Sequence, residues 1–357
     1  MTPASKLKII IAPDAFKGSL TSGQASEAIA EGIRSLFSDA ELTLCPLADG
    51  GEGTAELLTP YLNRESCLIE SAKLIGLNLP EMCSRPVESR GSAAVGESIL
   101  KALEQGKRHF IVALGGSATS DAGLGMLMRL GVEAWDSSGK SVEPTLSGLL
   151  KLARIDISKL DSRLSECSFT ILTDVASPLC GKNGATAVYG PQKGVELFKI
   201  ERIDHAIFVF SNQCRDLFGF DPRDREGAGA AGGLGYALML IGGEAVSGAE
   251  YIVKATGFRQ LLNDADWVIT GEGCSDLQTL NGKLPMVVAD EARKAGVSVA
   301  LLSGSVETNA RDQLSKRFDL ILSALPDDLS SEDAMLQAAV LLTEAAAGFA
   351  ERVKRGD

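Results

Sequence analysis

Apolar positions change period several times in the first sixty residues, and each change predicts an element. Lys8-Ile9-Ile10-Ile11-Ala12 reads as an unbroken apolar run, the pattern of a strand buried on both faces of a parallel sheet. Thr21-Ser22-Gly23-Gln24 forms a capping box that starts a helix. Ala25, Ala28, Ile29, Ile33 and Leu36 then recur at helical spacing. Glu41–Leu47 predicts a second strand, and Gly53 opens a second helix through Leu57 and Leu58. Strand, helix, strand, helix argues for a parallel sheet covered by helices. The rhythm returns near the other end, with strands at Trp267–Thr270, Ser298–Leu302 and Leu320–Ala324 and a helix at Met286–Lys294. A final helix is expected from Ser330-Ser331-Glu332-Asp333. Its apolar face would be Met335, Ala338, Leu342, Ala345, Phe349 and Val353, and it closes on Lys354 and Arg355, which suit the helix dipole.

The middle reads differently. Residues 65–105 show weak periodicity before a helix at Gly96–Leu103. Phe110–Leu114 is a clean strand followed by a glycine-rich helix start. From Gly131 to Arg225 short apolar runs alternate with turn residues. The expected organisation is α/β. One parallel-sheet domain is discontinuous, residues 1–64 plus 260–357, and a second α/β domain, 65–259, is inserted into it. The strand-helix unit 106–130 fits either.

Composition narrows the function classes. At 357 residues, two domains are expected at roughly 150 residues each. An apolar fraction of 45% with 23% charged residues excludes disorder. No run reaches about 18 apolar residues, which excludes a membrane-spanning helix. The first apolar stretch is too short for a secretory signal and runs into Pro13-Asp14. The net charge of −12 disfavours nucleic acid and anionic membranes as partners. Seven cysteines (Cys45, Cys67, Cys83, Cys167, Cys180, Cys214 and Cys274) form no CxxC pair, and there is no Asn-x-Ser/Thr sequon. Free thiols in a reducing cytoplasm are the expectation. His109 and His205 are the two histidines and lack ligand-like neighbours, which argues against a zinc site and a Ser-His-Asp triad.

Glycine stands out, at 38 residues. Five glycine-rich segments fall where strands end or helices begin: Ala48–Thr54, Gly115–Gly123, Gly190–Gly194, Gly227–Gly233 and Thr270–Gly273. Such loops let backbone N–H groups approach a phosphate. The familiar nucleotide fingerprints are missing: no GxxxxGK[ST], no HRD and no DFG. Gly227-Ala228-Gly229-Ala230-Ala231-Gly232 matches GxGxxG, but Asp221–Glu226 is no strand, so a dehydrogenase fingerprint is disfavoured. Asp49, Glu52, Asp121, Asp174 and Glu272 make sense in phosphate loops if Mg²⁺ bridges carboxylate and phosphate oxygens, or if one serves as general base. Helix capping is the competing account for each. Phe169–Thr173 is a short apolar strand, which puts Asp174 at its C-terminal end, ahead of Pro178. Lys17, Lys193 and Lys283 fit phosphate clamps, with solvated surface as their alternative.

In this order the segments resemble the bacterial class I glycerate kinases. The matching stretches are Ile11-Ala12-Pro13-Asp14 with Lys17-Gly18-Ser19-Leu20; Pro46–Thr54; Gly115–Asp121 with Gly123; Thr173-Asp174-Val175 with Pro178-Leu179; Gly190–Gly194; Gly227–Gly233; and Thr270–Gly273 with Gln278 and Gly282-Lys283. The resemblance implies ATP-dependent, Mg²⁺-assisted phosphorylation of D-glycerate, with 2-phosphoglycerate favoured, by a cytoplasmic enzyme. Its partners would be small molecules, and a homodimer is compatible with it. It also implies that the discontinuous domain is flavodoxin-like. Catalytic roles fall to Asp174, Lys17, Lys193 and Asp49, with Asp49 and Asp174 as metal ligands. Substrate or nucleotide contacts fall to Asp14, Ser19, Gly50, Gly51, Glu52, Gly53, Arg90, Gly115, Gly116, Ser117, Thr119, Asp121, Gly229, Gly232, Gly233, Gly271, Glu272, Gly273 and Lys283.

Three departures qualify the resemblance. A β-rich stretch of some thirty residues that the family usually carries is missing between Asn63 and Leu68. The family's Thr-Thr-Ser-x-Gly-Thr-Gly-Glu element is reduced to Glu88–Glu97, and its arginine after Thr-Gly-Glu-Gly is Cys274 here. Cysteine cannot replace a guanidinium fork. A kinase for another small hydroxy acid, or a nucleotide-binding relative that has lost catalysis, is the alternative.

Overall fold

The computed structural model describes residues 6–51, 53–326 and 329–356. Two compact units divide the chain. The first is Met1–Asp49 with Glu56–Leu58 and Ala249–Asp357; the second is Gly50–Ala55 with Thr59–Gly248. Their two larger sheets use nine strands of the described residues: β1 (Lys8–Ile11), β2 (Glu41–Leu44), β3 (Ser66–Glu70), β4 (His109–Ala113), β5 (Ser168–Leu172), β6 (Gly243–Val246), β7 (Trp267–Thr270), β8 (Ser298–Ser303) and β9 (Leu320–Ser323).

In the first unit the order is β9-β8-β7-β1-β2, parallel throughout. Numbered within the unit, this is the 2-1-3-4-5 order of flavodoxin-like sheets. Ile9 and Ile11 in β1, Ile269 in β7 and Ala300 and Leu302 in β8 are buried beneath Ile29, Ile33, Leu342 and Phe349 of two helices. The first helix, Ser22–Arg34, carries the capping box in full: the Gln24 N–H donates to Thr21 Oγ1, and the Thr21 N–H donates to Gln24 Oε1 at 2.9 Å. Strand order reverses between β1 and β7, the place where such sheets leave a crevice at their C-terminal edge. There the backbone continues in step past the strands. Ala12 N donates to Ile269 O at 2.7 Å and Asp14 N to Gly271 O at 2.9 Å.

Two expectations for this unit need correction. β2 stops at Leu44 rather than Leu47; Pro46 has no N–H to offer the ladder, although Leu47 N still reaches Pro13 O at 3.1 Å. The last helix is two helices, Ser331–Leu336 and Ala338–Arg355, broken at Gln337. Leu342 and Phe349 are buried as expected, but Met335 is 52% exposed and leaves the core face.

The second unit has the order β3-β4-β5-β6, again all parallel. Phe110 and Phe169 stack across neighbouring strands with centroids 4.9 Å apart. The region read as short apolar runs with many turn residues contains a 19-residue helix, Ile200–Phe218. The expected glycine-rich helix start after β4 is a loop instead. The helix begins only at Leu124, and Ala122 has φ +52°. Among the described residues no helix is long and apolar enough to cross a membrane.

Candidate active site

The switch point of the first unit opens into a cavity of about 480 Å³. Of the residues read from sequence, Asp14, Lys17, Ser19, Glu272, Gly273 and Lys283 line it. They arrive on three loops: Asp14, Lys17 and Ser19 follow β1, Glu272 follows β7, and Lys283 precedes the helix Leu284–Lys294. Gly271 makes this closeness achievable, because a Cβ there would sit 1.7 Å from Leu302 O on β8.

Charges are dense. Lys17 Nζ lies 3.6 Å from Asp49 Oδ2, with 68% of the lysine side chain exposed. Asp14 is buried, and one of its oxygens accepts from Ala15 N at 2.7 Å. Burial and then the neighbouring Asp49 push the Asp14 carboxyl well above the usual carboxylate range, against the pull of Lys17. Asp49 in turn raises the Lys17 ammonium. Burial also raises Glu272, although Thr279 Oγ1 donates to it at 2.7 Å, Ser275 Oγ at 3.1 Å, and Lys283 Nζ stands 3.6 Å away. Cys274, read from sequence as standing in place of an arginine, also lines the cavity, and so does Asp276, which sequence reasoning missed; Lys283 is 3.5 Å from Asp276. The available signal for Asp276 was its place four residues after Glu272.

The donor set suits Mg²⁺ as a shared ion. Among the described residues no group of three or more His, Cys, Asp or Glu side chains is arranged to hold a metal alone. Mg²⁺ ordinarily takes one or two carboxylates and completes its shell with water and phosphate. Asp14 is destabilised as a carboxylate by burial and by Asp49, and added positive charge would relieve both.

In the second unit the polar residues serve one another. Lys193 is buried; its Nζ donates to Ser117 Oγ at 3.1 Å and Thr119 O at 2.9 Å. Burial lowers its ammonium to about 7. Arg90, also buried, donates to the carbonyls of Lys193, Arg85 and Cys83. Asp121 accepts from the Ser92 N–H and hydroxyl at 2.8 Å and from the Gly123 and Gly125 N–H groups. It is fully buried, and burial raises its carboxyl despite these four donors. The Thr119 hydroxyl is buried without a hydrogen-bond partner.

Gly229, Gly232 and Gly233 face backbone rather than open space. A Cβ on Gly229 would meet Pro178 O, one on Gly232 would lie 2.1 Å from Thr119 O, and one on Gly233 would meet Ala122. The element before them is the helix Ile200–Phe218, so the GxGxxG match does not follow a strand. Gly115 lies over Gly51, and Gly50 packs on Leu172 and Gly248. Gly116 is exposed. The Gly53 N–H donates to Glu70 Oε1 at 3.3 Å and Ala55 N–H to Oε2 at 3.0 Å, so Glu70, unread from sequence, anchors the start of the helix Thr54–Leu58. Asp174 lies two residues beyond β5 and accepts from Gly248 N at 3.0 Å. Glu52 lies outside the described residues.

Comparison with known proteins decides the family. The chain matches the family described as "Glycerate kinase family" over residues 9–67 and 59–354. It belongs to the glycerate kinase family. It is 36% identical to a glycerate kinase of Bacillus subtilis over 98% of both chains, and 36% identical to a glycerate 2-kinase of Escherichia coli over 89% of this chain and 91% of that one. A solved structure assigned as glycerate kinase 2 of Salmonella typhimurium LT2 superposes with a TM-score of 0.79 at 36% identity, covering 99% of each chain. The family's enzymes are phosphotransferases with an alcohol group as acceptor, and this chain is such an enzyme. The two matched segments overlap at residues 59–67.

Proposed function

We propose that this enzyme transfers the terminal phosphoryl group of ATP to D-glycerate in the cytoplasm, with 2-phosphoglycerate as product and Mg²⁺ as the assisting ion. The observation that supports this most is the cavity at the flavodoxin-like switch point, where Lys17 and Lys283 stand among Asp14, Glu272 and Asp276. Fixed cations beside an open cavity suit a reaction in which negative charge develops on phosphoryl oxygens. Asp49 and, as its rival, Asp174 are the carboxylates proposed to ligate the ion; either would leave water and phosphate oxygens to complete the shell. When bound, the ion neutralises phosphate charge. The acceptor hydroxyl must lose its proton as the new O–P bond forms, and a carboxylate is the acceptor for that proton; Asp174 is the first candidate and Asp49 the second.

A second acceptor, another small hydroxy acid, has one observation in its favour. Cys274 lines the cavity where the resemblance places an arginine, so a carboxylate clamp expected of a glycerate site is weakened on that side. The test is direct. Purified protein with Mg²⁺, ATP and D-glycerate should yield phosphoglycerate, with the phosphorylated hydroxyl read by ³¹P–¹H correlation. Turnover with a different hydroxy acid alone would select the second reading, and no phosphorylation of either would remove both.

A further inference from the structure

Two features of the first unit have no structural purpose in its core. The C-terminal helical segment breaks at Gln337, and Met335 points away from the core with half its surface exposed. Both border the same cavity. Its lining includes the charged residues Asp14, Lys17, Glu272, Asp276 and Lys283 and the apolar residues Ala324, Leu325, Ala334, Met335, Ala338 and Leu341. The break lets the short helix present Ala334 and Met335 while the long helix presents Ala338 and Leu341. The wall beneath them is fixed: Leu325 N donates to Gly304 O at 2.7 Å, Ala324 N to Ser303 O at 2.8 Å, and Ser305 N to Gly273 O at 3.0 Å.

Glycerate carries an oxygen substituent on each of its three carbons and has no apolar face to bury. A nucleotide has both kinds of surface, an anionic chain and a flat ring whose faces are apolar. A cavity of about 480 Å³ is within the range of drug-sized ligand sites, roughly 300–1,000 Å³. We propose that the apolar wall residues Leu325, Met335, Ala338 and Leu341 seat the purine ring of the nucleotide, with its phosphates directed toward Lys17 and Lys283. Met335 suits a ring face, since its thioether is polarisable and its chain adapts in shape. This placement rests on the kinase reading above and assigns the donor substrate to the first unit.

The test measures nucleotide binding apart from turnover. ADP and tripolyphosphate, each with Mg²⁺ and without acceptor, are titrated calorimetrically into wild type, Met335→Glu and Ala338→Phe. Met335 is half exposed, so its variant should keep the wild-type melting temperature even if Ala338→Phe does not. The expected result is an ADP dissociation constant raised at least about tenfold, the size of one lost apolar contact of 1–2 kcal/mol. Tripolyphosphate binding should change less than twofold, and so should the KM for D-glycerate. Unchanged ADP binding in Met335→Glu, or equal weakening of ADP and tripolyphosphate, would overturn the placement. An enzyme that phosphorylates glycerate with an unaltered ATP KM in both variants leaves the kinase reading standing and removes this one. Met335-dependent ADP binding without any kinase activity does the reverse.

Discussion

The two units use the same residue types to opposite ends. In the first, Asp14, Lys17, Asp49, Glu272, Asp276 and Lys283 gather at or beside an open cavity, with Lys17 mostly exposed. In the second, Arg90, Asp121 and Lys193 are buried, and their hydrogen bonds go to neighbouring backbone and hydroxyl groups. Both regions are glycine-rich and carry a lysine beside carboxylates or hydroxyls. The difference is where the polar groups find partners. Groups satisfied within the protein set loop shape, whereas groups facing a cavity remain available to a ligand. On this reading Lys193, Arg90 and Asp121 hold residues 115–123 in place, and Lys17 and Lys283 act on substrate.

The sharpest way to break the comparison is to remove one charge from each region. Lys17→Ala should lower kcat/KM by 10²–10³, the effect of one lost contact to developing charge, about 3–4 kcal/mol. Its melting temperature should hold, because an exposed ion pair contributes about 0–1 kcal/mol. Asp121→Ala should show the opposite signature. It strands the Ser92, Gly123 and Gly125 donors, and each buried unsatisfied group costs about 1–3 kcal/mol. Asp121→Ala with intact melting and abolished turnover would make Asp121 a ligand contact and erase the contrast.

A somewhat smaller effect is expected at the candidate base. Asp174→Asn keeps an oxygen to accept from Gly248 N but cannot take a proton at neutral pH. Turnover should fall by at least about 10² with unchanged melting. A normal rate there beside an inactive Asp49→Asn would move the role to Asp49.

Glycines sharpen the comparison on a smaller scale. Gly232 has φ +68°, and a Cβ would lie 2.1 Å from Thr119 O. Gly232→Ala should therefore cost about 2–3 kcal/mol from left-handed strain and overpacking, read as a lowered urea midpoint. Gly273 faces the cavity without a positive φ, and its nearest neighbour for a Cβ is Lys17 N at 3.5 Å. Gly273→Ala should change stability by less than about 0.5 kcal/mol while weakening nucleotide or substrate binding. Equal loss of stability in both variants would mean that the two loops are built alike.

These contrasts explain what was legible in the sequence. Local signals worked: the capping box at Thr21 and Gln24, the run Ile9-Ile10-Ile11 in β1 and the strands β7, β8 and β9 each depend on adjacent residues. The helix Ile200–Phe218 was hidden because Phe208, Val209 and Leu217 are apolar yet exposed, which blurs the period set by Ile203, Ile207, Phe210 and Cys214. The break at Gln337 has no Gly or Pro to announce it. The candidate residues were legible as types, but not as roles. Lys17 and Lys193 both sit near glycines in the chain, and only the fold puts one beside an open cavity and the other against Thr119 O. Burial and partners are long-range properties, and no local spacing encodes them.

A last contrast separates these two lysines by pH. Lys193 titrates near 7 in the folded protein because burial disfavours its ammonium, against an unperturbed 10.5. Between those values the unfolded chain binds a proton that the folded chain does not. Stability therefore rises with pH across that window. Below pH 7 both states are protonated and the cost of burying the charge is fully present. Asp121 works against this by attracting the ammonium, but burial dominates. Lys193→Met removes the titration, and its lost hydrogen bonds to Ser117 and Thr119 add an offset that does not change with pH. The difference in melting temperature, wild type minus Lys193→Met, should increase by a few degrees from pH 7 to pH 9.5. Lys17 is shifted upward by Asp49, so it stays charged in both states over most of this range, and Lys17→Met should give a nearly flat difference. A flat line for Lys193→Met as well would place its ammonium in solvent, and the second unit would then hold a lysine available to a ligand just as the first does.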